Sequence, residues 1–245
     1  MTVSELPPRP GPPALVLVAH GSRDPRALST VRALMDRVRE LRPELSVHLG
    51  HIELNEPLLP DTLAALGDTP AVLVPLLLGR GYHVKRDIPE MAAAAQAPTR
   101  IAGPLGPHPL LVDTLHARLL EAGWRQRPAS AVVLAAAGSR DPESRLDTQR
   151  TARLLSARLG VPVLPGYASA ASPTVADAVH ALRARGRRHI AVASCFTAPG
   201  RFAAECAAQA PWLASAPLGA HDAMAGLILH RYERARETQP VTAAA

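Results

Sequence analysis

An internal duplication is the feature that most constrains the fold of this chain. The segment Gly21-Ser-Arg-Asp-Pro25 returns as Gly138-Ser-Arg-Asp-Pro142, and Pro104-Leu-Gly-Pro-His108 returns as Pro217-Leu-Gly-Ala-His221. Equivalent positions are roughly 115 residues apart, which is the length of a small domain. The duplication predicts two similar units, and it offers an internal comparison between corresponding residues.

Apolar strand patterns alternate with helical patterns through both repeats. We expect strands at 14–19, 46–54, 71–78 and 100–102, followed in the second repeat by strands at 131–136, 161–167 and 189–195. We expect helices at 26–42, 57–66, 88–97 and 107–122, then at 143–159, 174–185, 202–210 and 222–235. Such alternation is typical of parallel sheets that are covered on both faces.

The predicted fold is therefore α/β, with two tandem duplicated domains that each contain a small parallel sheet with helices on both faces. We expect residues 1–13 to be a flexible leader rather than a signal peptide, and 14–124 to form the N-terminal domain. Residues 125–237 are expected to form a degenerate C-terminal repeat, and 238–245 a flexible tail.

Composition excludes several classes of protein. The net charge is +6 with a pI near 10.3, but Lys85 is the single lysine and aromatics make up 3% of the chain. Scattered arginines without interleaved aromatics argue against a nucleic-acid-binding module and fit an acidic small-molecule substrate equally well. No apolar run has the length of a membrane helix, and two cysteines without metal-ligand spacing fit a cytoplasmic protein.

Three metal-capable side chains follow the first three strands of the N-terminal repeat. His20 follows the first strand, Glu53 lies near the end of the second, and His83 lies in the loop after the third. Ligands of open parallel sheets bind beyond the carboxyl ends of the strands, so these groups are expected to converge. Two imidazoles and a carboxylate suit Fe²⁺, Co²⁺ or Ni²⁺, and the same imidazoles are alternatively suited to accept protons.

The second repeat lacks all three groups while it keeps Gly-Ser-Arg-Asp-Pro. Ala137 replaces His20, the region matching Glu53 reads Ala168-Ser-Ala-Ala171, and the loop matching His83 reads Ala198-Pro-Gly-Arg-Phe202. This joint loss indicates chemistry in the first repeat alone, and it makes Gly-Ser-Arg-Asp-Pro a scaffold element.

Other polar residues are assigned as follows. His51 is expected to share a face with Glu53, His108 and His221 to start helices, and Cys195 to belong to the core. The residues expected to bind an acidic substrate flank the proposed cleft, and they are Ser22, Arg23, Arg80, Tyr82, Lys85 and Arg86.

These residues resemble the motifs of the sirohydrochlorin chelatases, the class II chelatases of siroheme and cobalamin synthesis, in their long two-domain form. The resemblance rests on Leu17-Val-Ala-His-Gly-Ser-Arg23, on His51-Ile-Glu-Leu-Asn-Glu-Pro57, and on Val74 to Pro89, which contains His-Val-Lys-Arg-Asp-Ile-Pro. It implies a metal site of His20, Glu53 and His83, and a tetrapyrrole substrate bearing eight carboxylates between the two domains.

The resemblance implies a lyase-type enzyme that inserts a divalent metal, in which the two histidines deliver the metal and accept pyrrole protons and Glu53 assists. Iron, for siroheme, is preferred over cobalt, for cobalamin, and no permanently bound cofactor is expected. We expect a monomer with pseudo-two-fold symmetry. The alternatives are a non-catalytic divalent-metal carrier and a histidine phosphatase, which Ala19 disfavours because that class has arginine there.

Overall fold

The computed structural model describes residues 11–237, so most of the expected leader and all of the expected tail lie outside the described residues. The first repeat contains β1 (Ala14–Ala19), α1 (Pro25–Leu41), β2 (Val47–His51), α2 (Leu59–Leu66), β3 (Ala71–Pro75), a π-helical turn (His83–Asp87), α3 (Ile88–Ala93), β4 (Thr99–Ile101) and α4 (Pro109–Glu121). The second contains β5 (Ser130–Ala136), α5 (Pro142–Leu159), β6 (Val163–Tyr167), α6 (Val175–Ala184), β7 (His189–Ser194), α7 (Arg201–Ala207), β8 (Leu213–Ala214) and α8 (Asp222–Arg236).

Each repeat forms one four-stranded parallel sheet, and the two strand orders match. The first sheet has the order β2-β1-β3-β4 and the second β6-β5-β7-β8. In the first sheet Leu17 pairs with Leu49 on one side and with Val74 on the other. The predicted α/β architecture with two duplicated sheets is confirmed, and β1 and β5 occupy equivalent central places.

The repeated motifs begin helices in the same way in both halves. Asp24 caps α1 by accepting the Arg26 N–H, and Asp141 caps α5 by accepting the Glu143 N–H. The side chains of His108 and His221 likewise accept the Leu110 and Ala223 N–H groups at the starts of α4 and α8. The aspartate and histidine of both copies therefore cap helices, which fits the scaffold interpretation of these positions.

The two repeats share one hydrophobic core. Alternate residues of β1 point to opposite faces, so Leu15 and Leu17 enter the shared core while Val16 enters a smaller core on the outer face. The helix that closes each repeat packs across the boundary: α4 contacts α5 and β7, whereas α8 contacts α1, β3 and β4. Each sheet therefore has its inner face covered by a helix of the other repeat.

The structure differs from the predicted elements mainly after β2 and β3. The second strand ends at His51 and not at 54 as predicted, and the segment after it includes Leu54, whose φ of +69° is incompatible with an extended strand. His83 does not lie in a loop as expected; it is the first residue of the π-helical turn, whose Ile88 N–H bonds to the His83 carbonyl. The short strand β8 was not predicted. Among residues 11–237, no helix is long and apolar enough to cross a membrane.

Candidate metal and substrate site

The three candidate ligands come together at the carboxyl edge of the first sheet. The His20 Nε2 atom lies 3.5 Å from Glu53 Oε1, and the His20 and His83 ring centroids are 4.7 Å apart with nearly perpendicular planes. Their side chains are half-exposed, between 37% and 53%. Within residues 11–237 no group of three or more histidine, cysteine, aspartate or glutamate side chains is arranged to hold a metal ion.

Backbone hydrogen bonds hold His20 and Glu53 together. The Glu53 N–H donates to the His20 carbonyl at 3.0 Å, and the Ile52 N–H donates to the Ala19 carbonyl at 2.9 Å. The Ser22 N–H donates to the Asn55 side-chain oxygen at 2.7 Å, which ties the same two loops together. In the second repeat the Ser169 N–H donates to the Ala137 carbonyl, so Ser169 occupies the place of Glu53.

The orientation of His83 depends on Asp87, a residue that was not singled out in the sequence. The Nδ1 atom of His83 lies 2.5 Å from Asp87 Oδ2, so this carboxylate orients the ring and leaves Nε2 outside the contact. A histidine followed four residues later by an acid in a helical segment is the signal that was available.

His51 lines the cleft wall, although only 2% of it is exposed. Its Nδ1–H donates to the Pro57 carbonyl at 3.1 Å, so the ring supports the loop that carries Glu53. Cys195 lies in the core, where burial raises the pKa of its thiol to about 12 and keeps it protonated. Its predicted core location is confirmed.

A cleft of about 1150 Å³ opens beside His20 and Glu53. One wall is α1, with Ala27, Leu28 and Val31, and the opposite wall is the second repeat from Phe196 to Ala203. Apolar walls suit a flat organic ring, while Arg23 and Arg201 lie at the mouth with exposed side chains. The combination is suited to an apolar ligand with an acidic periphery.

Both walls of the cleft contain residues that were not assigned to substrate binding from the sequence. Arg201 is 75% exposed and its guanidinium lies 4.7 Å from the centre of the Phe202 ring. Leu54 lines the same cleft and is 51% exposed, despite a left-handed backbone that is unfavourable for leucine. An exposed arginine could not be distinguished from solvated surface charge until the fold placed it opposite His20.

The six residues expected to bind substrate lie in three kinds of surroundings. Ser22 and Arg23 line the cleft, and the Ser22 hydroxyl also accepts the Asp24 N–H. Tyr82 and Arg86 are exposed beside His83. Arg80 and Lys85 are bound to acidic residues of α5, so their charges are already paired within the protein.

Fold and site together define a two-repeat α/β protein with an open imidazole–carboxylate edge inside an inter-repeat cleft. The CbiX family model matches residues 14–122 and 131–235, that is, both repeats. The chain therefore belongs to the CbiX family.

Individual relatives agree with this assignment. A sirohydrochlorin ferrochelatase of Priestia megaterium is 26% identical over 235 residues, covering 89% of this chain and 88% of the relative. A sirohydrochlorin cobaltochelatase of Methanococcus aeolicus is 38% identical over 81 residues, or 32% of this chain and 57% of that protein. The structure of SirB from Bacillus subtilis with Fe³⁺ is similar in fold, with a TM-score of 0.74 at 23% identity over 91% of this chain and 95% of SirB.

Proposed function

We propose that this protein is a sirohydrochlorin chelatase that inserts a divalent metal into the tetrapyrrole within the inter-repeat cleft. The observation that carries the proposal is the adjacency of His20, Glu53 and His83 at the edge of an apolar cleft with arginines at its mouth. The relatives' activities support it, since both ferrochelatases and cobaltochelatases occur among them.

In the proposed reaction the macrocycle lies between α1 and the Phe196–Ala203 wall. The two pyrrole N–H protons must leave as the metal enters, and neutral imidazoles next to a carboxylate are suited to receive them. In this reaction His83 acts through Nε2, since its Nδ1 atom is engaged with Asp87. Glu53 either binds the arriving metal or accepts a proton passed on by His20, which is 3.5 Å away.

The substrate carboxylates are assigned to the cations and donors at the cleft mouth. Arg23 and Ser22 of the first repeat and Arg201 of the second line the cleft. Tyr82 and Arg86 do not line it, but both are exposed in the segment that carries His83, and we assign them as further substrate contacts. Guanidinium groups bind carboxylates with two parallel hydrogen bonds, so a few exposed arginines are sufficient to orient an acidic ring.

The metal is a substrate in this proposal, with Fe²⁺ preferred and Co²⁺ or Ni²⁺ as alternatives, and no permanently bound cofactor takes part. An open site of two nitrogen ligands and one oxygen ligand accepts each of these ions, so geometry alone does not select among them. We further propose that the chain acts as a monomer, because its two repeats already cover each other's inner faces. We also propose a cytoplasmic location, which the two free cysteines fit.

The decisive experiment mixes purified protein, sirohydrochlorin and Fe²⁺, Co²⁺ or Ni²⁺ without oxygen and follows the tetrapyrrole absorbance. We expect insertion to be faster than in the protein-free control for at least one of the three ions. Tight metal binding together with an unaccelerated absorbance change would contradict the proposal and identify a divalent-metal carrier.

A further inference from the structure

Two cations that bracket His83 are bound by the degenerate repeat. Arg80 lies three residues before His83 and Lys85 two residues after it. The Arg80 guanidinium donates to both carboxylate oxygens of Asp147, at 2.9 and 2.8 Å, and to Glu143 at 2.8 Å. Lys85 Nζ lies 2.6 Å from Asp141 and 2.5 Å from Glu143. We call these five residues the inter-repeat clamp.

The clamp holds Arg80 through hydrogen bonds to a buried carboxylate. Asp147 is 1% exposed and also accepts the Arg80 backbone N–H at 3.0 Å, so main chain and side chain of Arg80 are both held. Burial alone would raise the pKa of Asp147, but the hydrogen bonds from Arg80 outweigh burial and hold that pKa below its ordinary value. The carboxylate is therefore ionised at neutral pH, and both of its oxygens accept hydrogen bonds from Arg80.

The clamp is confined to the side that carries His83. Counting from the strand pairs Val18–Pro75 and Ala135–Ser194, Arg80 and Lys85 correspond to Pro199 and Ala204 in the second repeat. Counting from the shared Gly-Ser-Arg-Asp-Pro motif, Glu143 and Asp147 correspond to Arg26 and Thr30. Asp141 has a charged counterpart in Asp24, but of the other four counterparts only Arg26 is charged, and Pro199 lines the open cleft.

We propose that Asp147 and Glu143 of the degenerate repeat are positioning residues that hold His83, through Arg80 and Lys85, in its place beside His20. The inference rests on the proposed function, in which His83 handles the metal. Segment 79–87 begins with two glycines, at positions 79 and 81, and continues as a π-helical turn, so its own sequence fixes it poorly. Ion pairs anchored on the rigid first turns of α5 supply the missing restraint.

The test compares Asp147→Asn and Glu143→Gln with Asp222→Asn. Asp222 is a matched control because it also forms an ion pair between the repeats, with Arg37 at 2.7 Å, but away from His83. For the clamp variants we expect Co²⁺ affinity of the protein to fall about tenfold and kcat for insertion to fall with it, while KM for sirohydrochlorin changes less than about twofold. The Asp222 variant is expected to match the unsubstituted protein in all three quantities.

Amide hydrogen exchange across 79–87 provides a readout that does not depend on activity. Faster exchange in this segment for both clamp variants, and not for Asp222→Asn, supports the positioning role even if metal insertion itself is not observed. The half-exposed Glu143 keeps the test informative if Asp147→Asn unfolds the chain. Unchanged exchange and unchanged Co²⁺ affinity in Glu143→Gln, or equal losses in Asp222→Asn, would overturn the proposal.

Discussion

The backbone at Gly21 lies directly against the carbonyl of Glu53. A Cβ atom at position 21 would be 1.8 Å from the Glu53 oxygen, and the φ of Gly21 is +104°, so both sterics and conformation require glycine. The second repeat has the same contact: Gly138 has a φ of +91°, and a Cβ atom at that position would be 1.9 Å from the Ser169 oxygen. The close approach occurs in both repeats, but only in the first does it place a carboxylate, that of Glu53, beside a histidine, His20.

This pair of glycines offers a matched experiment. We expect Gly21→Ala and Gly138→Ala to destabilise the protein by similar amounts, at least about 2 kcal/mol, because each forces two backbone segments apart. Gly21→Ala is expected in addition to displace Glu53 from His20 and to lower the metal-insertion rate per folded molecule by tenfold or more, an outcome measured at a temperature where both variants are folded. Equal activity losses in the two variants would contradict a site confined to the first repeat.

Leu54 is expected to lower the stability of the protein and to strengthen substrate binding. Its left-handed backbone, φ +69°, costs a leucine about 1 kcal/mol, whereas asparagine adopts it readily. Leu54→Asn is therefore expected to raise thermal stability while it raises KM for sirohydrochlorin, because the exposed side chain lining the cleft is lost. The control is Ala170→Asn at the equivalent left-handed position of the second repeat, φ +55°, which is expected to stabilise without changing KM. An unchanged KM in Leu54→Asn would remove Leu54 from the substrate wall.

Arg201 is expected to bind a substrate carboxylate from the degenerate repeat. Charge reversal by Arg201→Glu is predicted to raise KM for sirohydrochlorin about tenfold, with the Co²⁺ affinity of the protein unchanged. Arg185→Glu changes the net charge equally at an exposed site outside the cleft, so it separates a local contact from general attraction. Equal KM values for these two variants would mean that Arg201 contributes only to the overall field.

The clamp carboxylates predict how stability depends on pH. The hydrogen bonds of Arg80 and Lys85 hold the pKa values of Asp147 and Asp141 below their ordinary values in the folded protein. Their stabilisation is therefore complete above the unfolded-state pKa near 4 and is lost as pH falls through the lower folded-state values. Urea unfolding between pH 6 and pH 3 is expected to show a smaller loss of stability in Asp147→Asn than in the unsubstituted protein. Parallel curves for the two proteins would refute this dependence.

Periodicity and duplication were sufficient to predict the two parallel sheets, because β1 and β5 are continuous apolar runs with a repeated motif after each. The convergence of His20, Glu53 and His83 also followed from strand order, since all three lie at carboxyl ends of neighbouring strands. The packing of α4 on the second sheet and of α8 on the first was not predictable, because an apolar helix face is equally compatible with either sheet.

Ion pairs between residues that are distant along the chain could not be predicted from the sequence. Arg80 and Lys85 looked like ligands for an acidic substrate because their partners, Asp147 and Glu143, are more than fifty residues away along the chain. Asp87, four residues from His83, was in principle recognisable from helical spacing. Arg201 acquired meaning only from the fold, which sets it across the cleft from His20.

In the proposed reaction the histidines that handle the metal, His20 and His83, both belong to the first repeat. The most direct test of this reaction is the rate of Fe²⁺ or Co²⁺ insertion into sirohydrochlorin by His20→Ala and His83→Ala, with His221→Ala as control. His221 caps a helix of the second repeat, so its loss affects stability and not the site. We expect each site variant to lose at least about 100-fold in rate while the control keeps the unsubstituted rate. Full activity in the His20→Ala, His83→Ala double variant would contradict the account.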